Sequence, residues 1–331
     1  MAVGIQDIPG MKRGLVIGKF MPLHQGHIAL IHFAASQCDE VIVSMTFKPD
    51  DPIGGPLRFE WIRQTFADYP MIRPMLSSDD FDDESAPLSQ RIPHWATFLK
   101  KQFSPIDMIF SSEDYGDDLA AQLGLMHHPF DFERKQVPVS STLIRENPFR
   151  YWDFIAPKAR YYFVKRICFY GPESTGKSTM SRRMAEIYRT EFVPEVSREF
   201  ISSNDFTTDD IIRIAHAQTQ RILEKTLIAN KFLFCDTDLI TTEIYCRHYL
   251  KKVPDVLFGL EREIVFDRYF LFDIDVPWVS DGLRDLGDRR HEMFEIFRME
   301  LEKRNIKYEL LKGDFSSREE RLIHEMNLFF S

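Results

Sequence analysis

The sequence predicts an α/β protein of two tandem domains, each a parallel sheet wound with helices. Three observations carry that expectation. Short β-rich apolar runs alternate with stretches of helical spacing, the pattern of parallel strands joined by crossover helices. The alternation lapses between Glu146 and Tyr162, where Pro148, Pro157 and many aromatics gather, and then restarts. At roughly 150 residues per domain, the 331 residues make about two domains. A hydrophobic content of 44% supplies two cores and excludes a disordered chain.

In the first half, Leu15–Ile17 reads as a strand, and Ile28, Ile31, Ala34 and Ala35 then fall on one helical face. Val41–Val43 is a second strand, and Leu57, Trp61 and Phe66 mark a helix. Met71–Leu76 reads as a strand, Trp95, Phe98 and Leu99 as a helix, and Ile106–Phe110 as a strand. Tyr115–Leu123 is a helix stopped by Gly124. The proline- and aromatic-rich stretch reads as a packed connector rather than a floppy linker, which sets domains at 1–160 and 161–331. In the second half the strands are Ile167–Tyr170, Glu191–Pro194, Phe232–Cys235, Tyr269–Phe272 and Tyr308–Leu311. Helices are expected over Lys177–Tyr188, Thr208–Ala229, after Gly287, and over Ser316–Phe329, the last capped by Ser316 or Ser317.

The formal charge of −9 offers no global basic field, so a protein that coats nucleic acid is disfavoured. Of the four cysteines no two form C-x-x-C, so neither a zinc site nor a redox dithiol is expected; Cys168 and Cys235 lie in apolar runs and read as buried strand residues. No apolar run approaches the ~18–20 residues that span a bilayer, and the N-terminus lacks an apolar signal region; the expected location is the cytoplasm. The acidic run Ser77–Glu84 reads as a solvated surface loop.

Two stretches carry chemistry. Gly18–His27 reads GKFMPLHQGH between a strand and a helix. Gly18 allows close approach of a ligand, and the helix N-terminus beyond it offers free N–H groups to phosphate. His24 and His27, three apart at that helix start, point to one side and can donate to phosphate oxygens, with Lys19 as a nearby cation. Far downstream, VSSTLIR (Val139–Arg145) offers the hydroxyls of Ser140, Ser141 and Thr142 at a second helix start. The other stretch, Gly171–Thr179, reads GPESTGKST and satisfies G-x-x-x-x-G-K-S/T after a strand and before a helix. Backbone N–H groups of Gly171, Pro172–Gly176 and Ser178–Thr179 would cradle ATP phosphates, apart from the imino nitrogen of Pro172. Lys177 would reach the β- and γ-phosphates and Ser178 would ligate Mg²⁺. Glu195 and Asp238 stand at strand ends where a carboxylate can take a proton from an attacking hydroxyl, and Asp236 is nearest its strand, where it would hold magnesium. The segment PWVSDGLRDLGDRR fits a mobile lid whose Arg284, Arg289 or Arg290 closes over the transferring group.

H-x-G-H with VSSTLIR resembles the nucleotidyltransferase superfamily, whose second element is I-S-S-T-x-I-R. The resemblance implies a Rossmann-like domain in which His24, His27 and Lys19 stabilise the α-phosphate of ATP during in-line attack. Gly18, Phe20, Met21, Ser140, Ser141 and Thr142 would surround the nucleotide, and Arg145 would meet the outgoing pyrophosphate. Followed by a P-loop domain, the arrangement closely resembles the bacterial NadR-type bifunctional enzymes. SSEDYGDDLA (Ser111–Ala120), the pair Asp131 and Arg134, and PEVSREF add to the resemblance. It implies nicotinamide mononucleotide (NMN) adenylyltransferase followed by ribosylnicotinamide kinase, with nicotinamide riboside, NMN, NAD and ATP as ligands, ATP as substrate and Mg²⁺ as cofactor. Some members carry a DNA-binding repressor domain; about fourteen residues precede the first strand here, too few for one, so no DNA partner is expected. No membrane partner is expected, and homo-oligomerisation stays open. Three alternatives remain: a flavin-pathway pair, disfavoured because that kinase lacks a P-loop; a kinase for another nucleoside; and a nucleotide-sensing binding module without turnover.

Overall fold

A computed structural model describes residues 10–103, 105–280 and 285–330. The chain divides into two compact units between Ala159 and Arg160.

The first unit runs β1 (Arg13–Gly18), α1 (Gln25–Ala35), β2 (Glu40–Phe47), α2 (Gly55–Thr65), β3 (Ile72–Ser78), α3 (Leu88–Phe103), β4 (Met108–Ser111), α4 (Gly116–Leu123), β5 (Met126–Pro129) and α5 (Ser141–Glu146). Its sheet is parallel throughout, in the order β3-β2-β1-β4-β5. Both faces are covered, so β1 and β2 are apolar runs rather than alternating ones; Leu15, Val16 and Val41–Val43 are all fully buried. Leu15, Ile42 and Ile109 pack against Ile92, Leu99 and Phe103 of α3 and Leu119 of α4. Gly124 closes α4 in the left-handed conformation, φ +72°. The strand order reverses between β1 and β4, which opens a crevice at their C-terminal ends, the usual place for a ligand in such sheets.

The second unit runs β6 (Lys165–Tyr170), α6 (Lys177–Tyr188), β7 (Glu191–Val193), α7 (Ser197–Phe200), α8 (Thr208–Ile228), β8 (Phe232–Asp236), α9 (Leu239–Leu250), α10 (Val256–Glu263), β9 (Arg268–Phe272), α11 (Arg290–Lys303), β10 (Tyr308–Leu311) and α12 (Phe315–Asn327). Its parallel order is β10-β9-β6-β8-β7. Phe169, at the centre, meets Phe234, Phe270 and Phe272 at 5.2–6.1 Å between ring centroids. Cys168 and Cys235 are fully buried partners in register across β6 and β8, as their apolar runs predict. Thr207 and Asp210 form a reciprocal capping box at α8.

Several elements differ from expectation. β5 reads MHHP, with no β-branched residue and a proline, so it carries no strand signal and was not expected. α9 and α10 were not separated from the strands around them. The cap of α12 is Asp314, whose carboxylate accepts from Ser317 N at 2.9 Å, rather than Ser316 or Ser317 themselves. Among the described residues no helix is long and apolar enough to cross a membrane.

Candidate active sites

In the first unit a crevice opens where β1, β2 and β4 end. His24 is the N-cap of α1, and its Nδ1 accepts from Gly26 N at 3.1 Å. That bond fixes the tautomer: a neutral ring must then carry its proton on Nε2. A Cβ at Gly26 would stand 3.0 Å from Cε1 and 3.1 Å from Nδ1 of His24, so a larger residue would push the ring from the place it takes over the first turn. The His24 and His27 rings stack at 3.7 Å, and the edge of Phe20 closes on His27 at 4.8 Å. Burial, then the charge of Arg134, pushes His24 down to about 3. Burial, His24 and Arg134 together push His27 well down too. Both imidazoles are neutral hydrogen-bonding groups at ordinary pH.

The second motif meets the first. Ser140 caps α5 by accepting from Leu143 N at 3.2 Å, and the Ser141 hydroxyl donates to Pro22 O at 3.2 Å. Arg145 donates to Met21 O and to Thr142 Oγ1. Asp131 accepts from Gln136 N and Val137 N, each at 3.0 Å, and Arg134 donates to Val139 O at 2.8 Å, so that loop holds the residue just before Ser140. Arg134 also reaches Glu113 at 3.0 Å. The connector is part of this construction: Ile155 bridges to His24, Ala156 N donates to Leu23 O at 3.1 Å, and Trp152, Ile155 and Ala156 are buried.

The acidic run is a solvated loop only in part: Ser78, Asp80, Asp83 and Glu84 are exposed, whereas Asp79 is buried and Asp82 half-buried against the crevice, where Asp82 takes Arg91 at 2.7 and 2.6 Å. Glu84 pairs with Lys19 and, at 3.2 Å, with Lys48. The run folds inward because basic side chains on three other segments meet its carboxylates, which charge counting along the sequence does not reveal. Also missed was a chain of hydrogen bonds from Ser111, on the crevice wall, through His127 Nε2 (2.9 Å) and Nδ1 to Asp117 (2.7 Å).

In the second unit the loop after β6 has the P-loop form. Gly171 has φ +135°, and a Cβ there would meet Phe272 O at 3.0 Å, so glycine is required twice over. Lys177 Nζ donates to Gly171 O and Pro172 O at 2.8 and 2.7 Å. Glu173 through Thr179 line a cavity. Arg318 of α12 is buried and grips the loop from behind, donating to Thr175 O at 2.6 Å and to Asp273 O at 3.0 Å. Nothing in its charged local sequence marks it out.

Asp236 ends β8 with 1% exposure, and neither carboxylate oxygen reaches hydrogen-bonding geometry, although the Ser178 hydroxyl is near enough to lower its pKa. Burial raises it, and Lys177 opposes that. An orphaned buried carboxylate beside a serine hydroxyl is an oxygen donor set of the kind a hard divalent cation takes. Glu195 lines the cavity, accepting from Ser197 Oγ at 3.0 Å and Arg198 Nε at 3.3 Å.

Two expected site residues lie outside the cavity lining. Asp238 does not line the cavity: it is the buried N-cap of α9, accepting from Thr241 N (2.9 Å), Thr241 Oγ1 (3.0 Å) and the Tyr269 hydroxyl (3.1 Å). Burial holds it up at about 6. Its spacing after the strand suits a cap as well as a base, and the cap bonds use its oxygens. Arg289 turns outward to Glu292 at 2.8 Å, whereas its neighbour Arg290 reaches Ser174 O at 3.3 Å. Arg284 lies outside the described residues. The segment around these arginines docks on the P-loop itself: Val279 N donates to Ser174 Oγ at 2.7 Å and Leu286 N to Glu173 Oε1 at 3.0 Å.

Phe206, Ile211 and Ile214 give the cavity apolar lining, and Tyr245 and Tyr249 line it too, the Tyr245 hydroxyl accepting from Glu173 N of the P-loop at 3.2 Å. Gln218 stands among them, 3% exposed. The signal for it was present but unread: a polar residue at helical spacing among Ile211, Ile214, Ala215 and Ile222.

A model of the AAA domain matches residues 166–318. The chain is 32% identical over 344 aligned residues to the trifunctional NAD biosynthesis/regulator protein NadR of Escherichia coli (strain K12), covering 94% of this chain and 82% of that one. It is 26% identical over 169 residues to the nicotinamide-nucleotide adenylyltransferase of Thermococcus onnurineus (strain NA1), covering 47% of this chain and 83% of that one. The fold is similar to a crystal structure of NadR protein in complex with NR, with TM-score 0.79, 22% identity and 97% of each chain covered.

Proposed function

The chain belongs to the NadR family, and on that premise we propose how its two phosphate sites divide the chemistry. It is an NAD-biosynthesis enzyme with an NMN adenylyltransferase domain and a ribosylnicotinamide kinase domain. The residue roles below are our reading of the geometry.

In the kinase unit the 5′-hydroxyl of nicotinamide riboside attacks the γ-phosphorus of ATP. The new O–P bond replaces the bond to the β-phosphate bridge, the proton goes to Glu195, and ADP leaves. Glu195 suits this role because it faces the cavity and is held by Ser197 and Arg198. Ser178 and Asp236 would hold magnesium, which when bound neutralises charge on the β- and γ-phosphates. Lys177 would exchange the loop carbonyls it holds for phosphate oxygens, and Arg290 is the arginine placed to follow them.

In the adenylyltransferase unit a phosphate oxygen of NMN attacks the α-phosphorus of a second ATP, and pyrophosphate departs. No proton transfer is needed, because both the attacking and the leaving groups are phosphate oxygens. Catalysis therefore reduces to position and charge. The observation that carries this reading is the stacked, neutral pair His24 and His27, with the His24 proton fixed on Nε2. A neutral donor strengthens its bond as the equatorial oxygens gain charge, without binding the ground-state anion tightly. Ser141, Thr142 and Arg145, already tied to the same loop, would take the pyrophosphate.

Incubating the protein with nicotinamide riboside and Mg-ATP, and following products by mass, tests both halves. NMN and then NAD are expected. NAD from supplied NMN but no NMN from the riboside would remove the kinase assignment alone, and no product from either would leave the binding-module reading.

A further inference from the structure

The kinase cavity holds a buried donor without an acceptor. Gln218 Oε1 accepts from Val196 N at 3.1 Å, which fixes the amide's orientation because only the oxygen can take that N–H. Its Nε2 is buried and makes no hydrogen bond. An amide N–H left so in a buried wall is costly, and a functional role is one of the few explanations for such a group in a folded protein. The surroundings fit a flat ring: Phe206, Ile211 and Ile214 line the cavity with apolar surface, the two isoleucines on the same helix as Gln218. The P-loop fixes the phosphoryl end at Lys177, and Gln218 lines the same cavity from α8, which leaves its side chain for the far end of the acceptor.

We propose that Gln218 is the specificity-determining residue of the kinase site, its Nε2 donating to a carbonyl oxygen carried on the acceptor's aromatic ring. For nicotinamide riboside, the substrate on which this inference rests, that atom is the carboxamide oxygen. Val196 is the residue next to Glu195, so the same side chain that reads the ring also anchors the strand end bearing the base. The ring's substituent and the position of the proton acceptor are thereby set by one amide.

The test compares phosphorylation of nicotinamide riboside with that of the pyridine riboside lacking the carboxamide, in the full-length protein with Mg-ATP. The unaltered protein should favour the carboxamide by about 10- to 100-fold in kcat/KM, the range of one buried hydrogen bond. Gln218→Met removes the donor, and Gln218→Glu removes it while keeping an acceptor for Val196 N. Both should bring the ratio near one through KM for the riboside, with KM for ATP unchanged. An unchanged ratio in both variants overturns the inference while leaving the kinase standing. Loss of turnover on both ribosides alike in both variants also overturns it, since a merely structural glutamine would do that. Absence of nicotinamide riboside phosphorylation by the unaltered protein overturns the kinase reading itself.

Discussion

His27 carries the sharpest expectation at the scale of single residues. It lies in the crevice, stacked on His24 and closed by Phe20, and no neighbour can replace its ring. His27→Ala should lower adenylyl transfer by about 10²–10³ in kcat, the scale for one preorganised donor, with KM for NMN little changed and kinase turnover intact. Steady-state rates for each half reaction check it. In the kinase site Asp236 and Glu195 are both acidic but differently placed, one orphaned beside Ser178 and the other exposed to the cavity. Asp236→Asn should lose activity that added magnesium partly restores, whereas Glu195→Gln should lose turnover that magnesium leaves lost. Equal rescue of both would refute that division. Lys177→Ala, as a control, should abolish phosphorylation and spare NAD formation from supplied NMN. The residues that the sequence made legible are those with a strong local backbone signal: Gly171 of the P-loop and the capping Ser140. Asp238 was misread because a strand-end aspartate caps a helix or faces a ligand in the same spelling, and only its bonds to Thr241 and Tyr269 decide. Gln218 was missed although its spacing from Ile211, Ile214 and Ile222 sets it on the buried face of α8, because polar residues on that face were not weighed.

Among the elements, the connector matters most. Ile155 bridges His24 and Ala156 donates to Leu23, so the stretch after α5 holds the H-x-G-H loop from the far side. A fragment of residues 1–160 should keep adenylyl transfer, and a fragment of residues 1–150 should lose it along with much of its thermal stability. Both can be followed by circular dichroism and NAD formation; equal activity of the two would make the bridge incidental. Periodicity located this connector and most central strands, because buried parallel strands are continuous apolar runs. It could not find β5, whose four residues MHHP pair with β4 without any β-branched or alternating apolar residue to mark a strand. Nor could it show that the acidic run turns inward, because the partners of that run, Lys19, Lys48 and Arg91, come from β1, β2 and α3 and their flanks.

For the whole molecule, the division at Ala159 implies that no single melting temperature describes it. Each unit closes its own sheet around its own core, so scanning calorimetry should resolve two endotherms. Acid should move them in opposite directions. In the first unit the folded state holds His24 down at about 3, against 6.5 free, and His27 also far down. Between those values the unfolded chain binds more protons, so this contribution to stability is lost as pH falls below 6.5. Asp79 and Glu113, raised by burial, offset part of that loss. In the second unit Asp238 is raised to about 6 from 3.8, and Asp236 is raised as well. There the folded state binds more protons, so stability is gained as pH falls through 6. Scans at pH 7.5 and pH 5.5 should therefore show one endotherm shifting down while the other holds or rises. His24→Asn should reduce the downward shift by the share of His24 and leave that of His27, and two endotherms moving together would refute separate melting. The boundary found in the chain thus becomes a calorimetric one: acidity acts as a label that tells which peak belongs to which half.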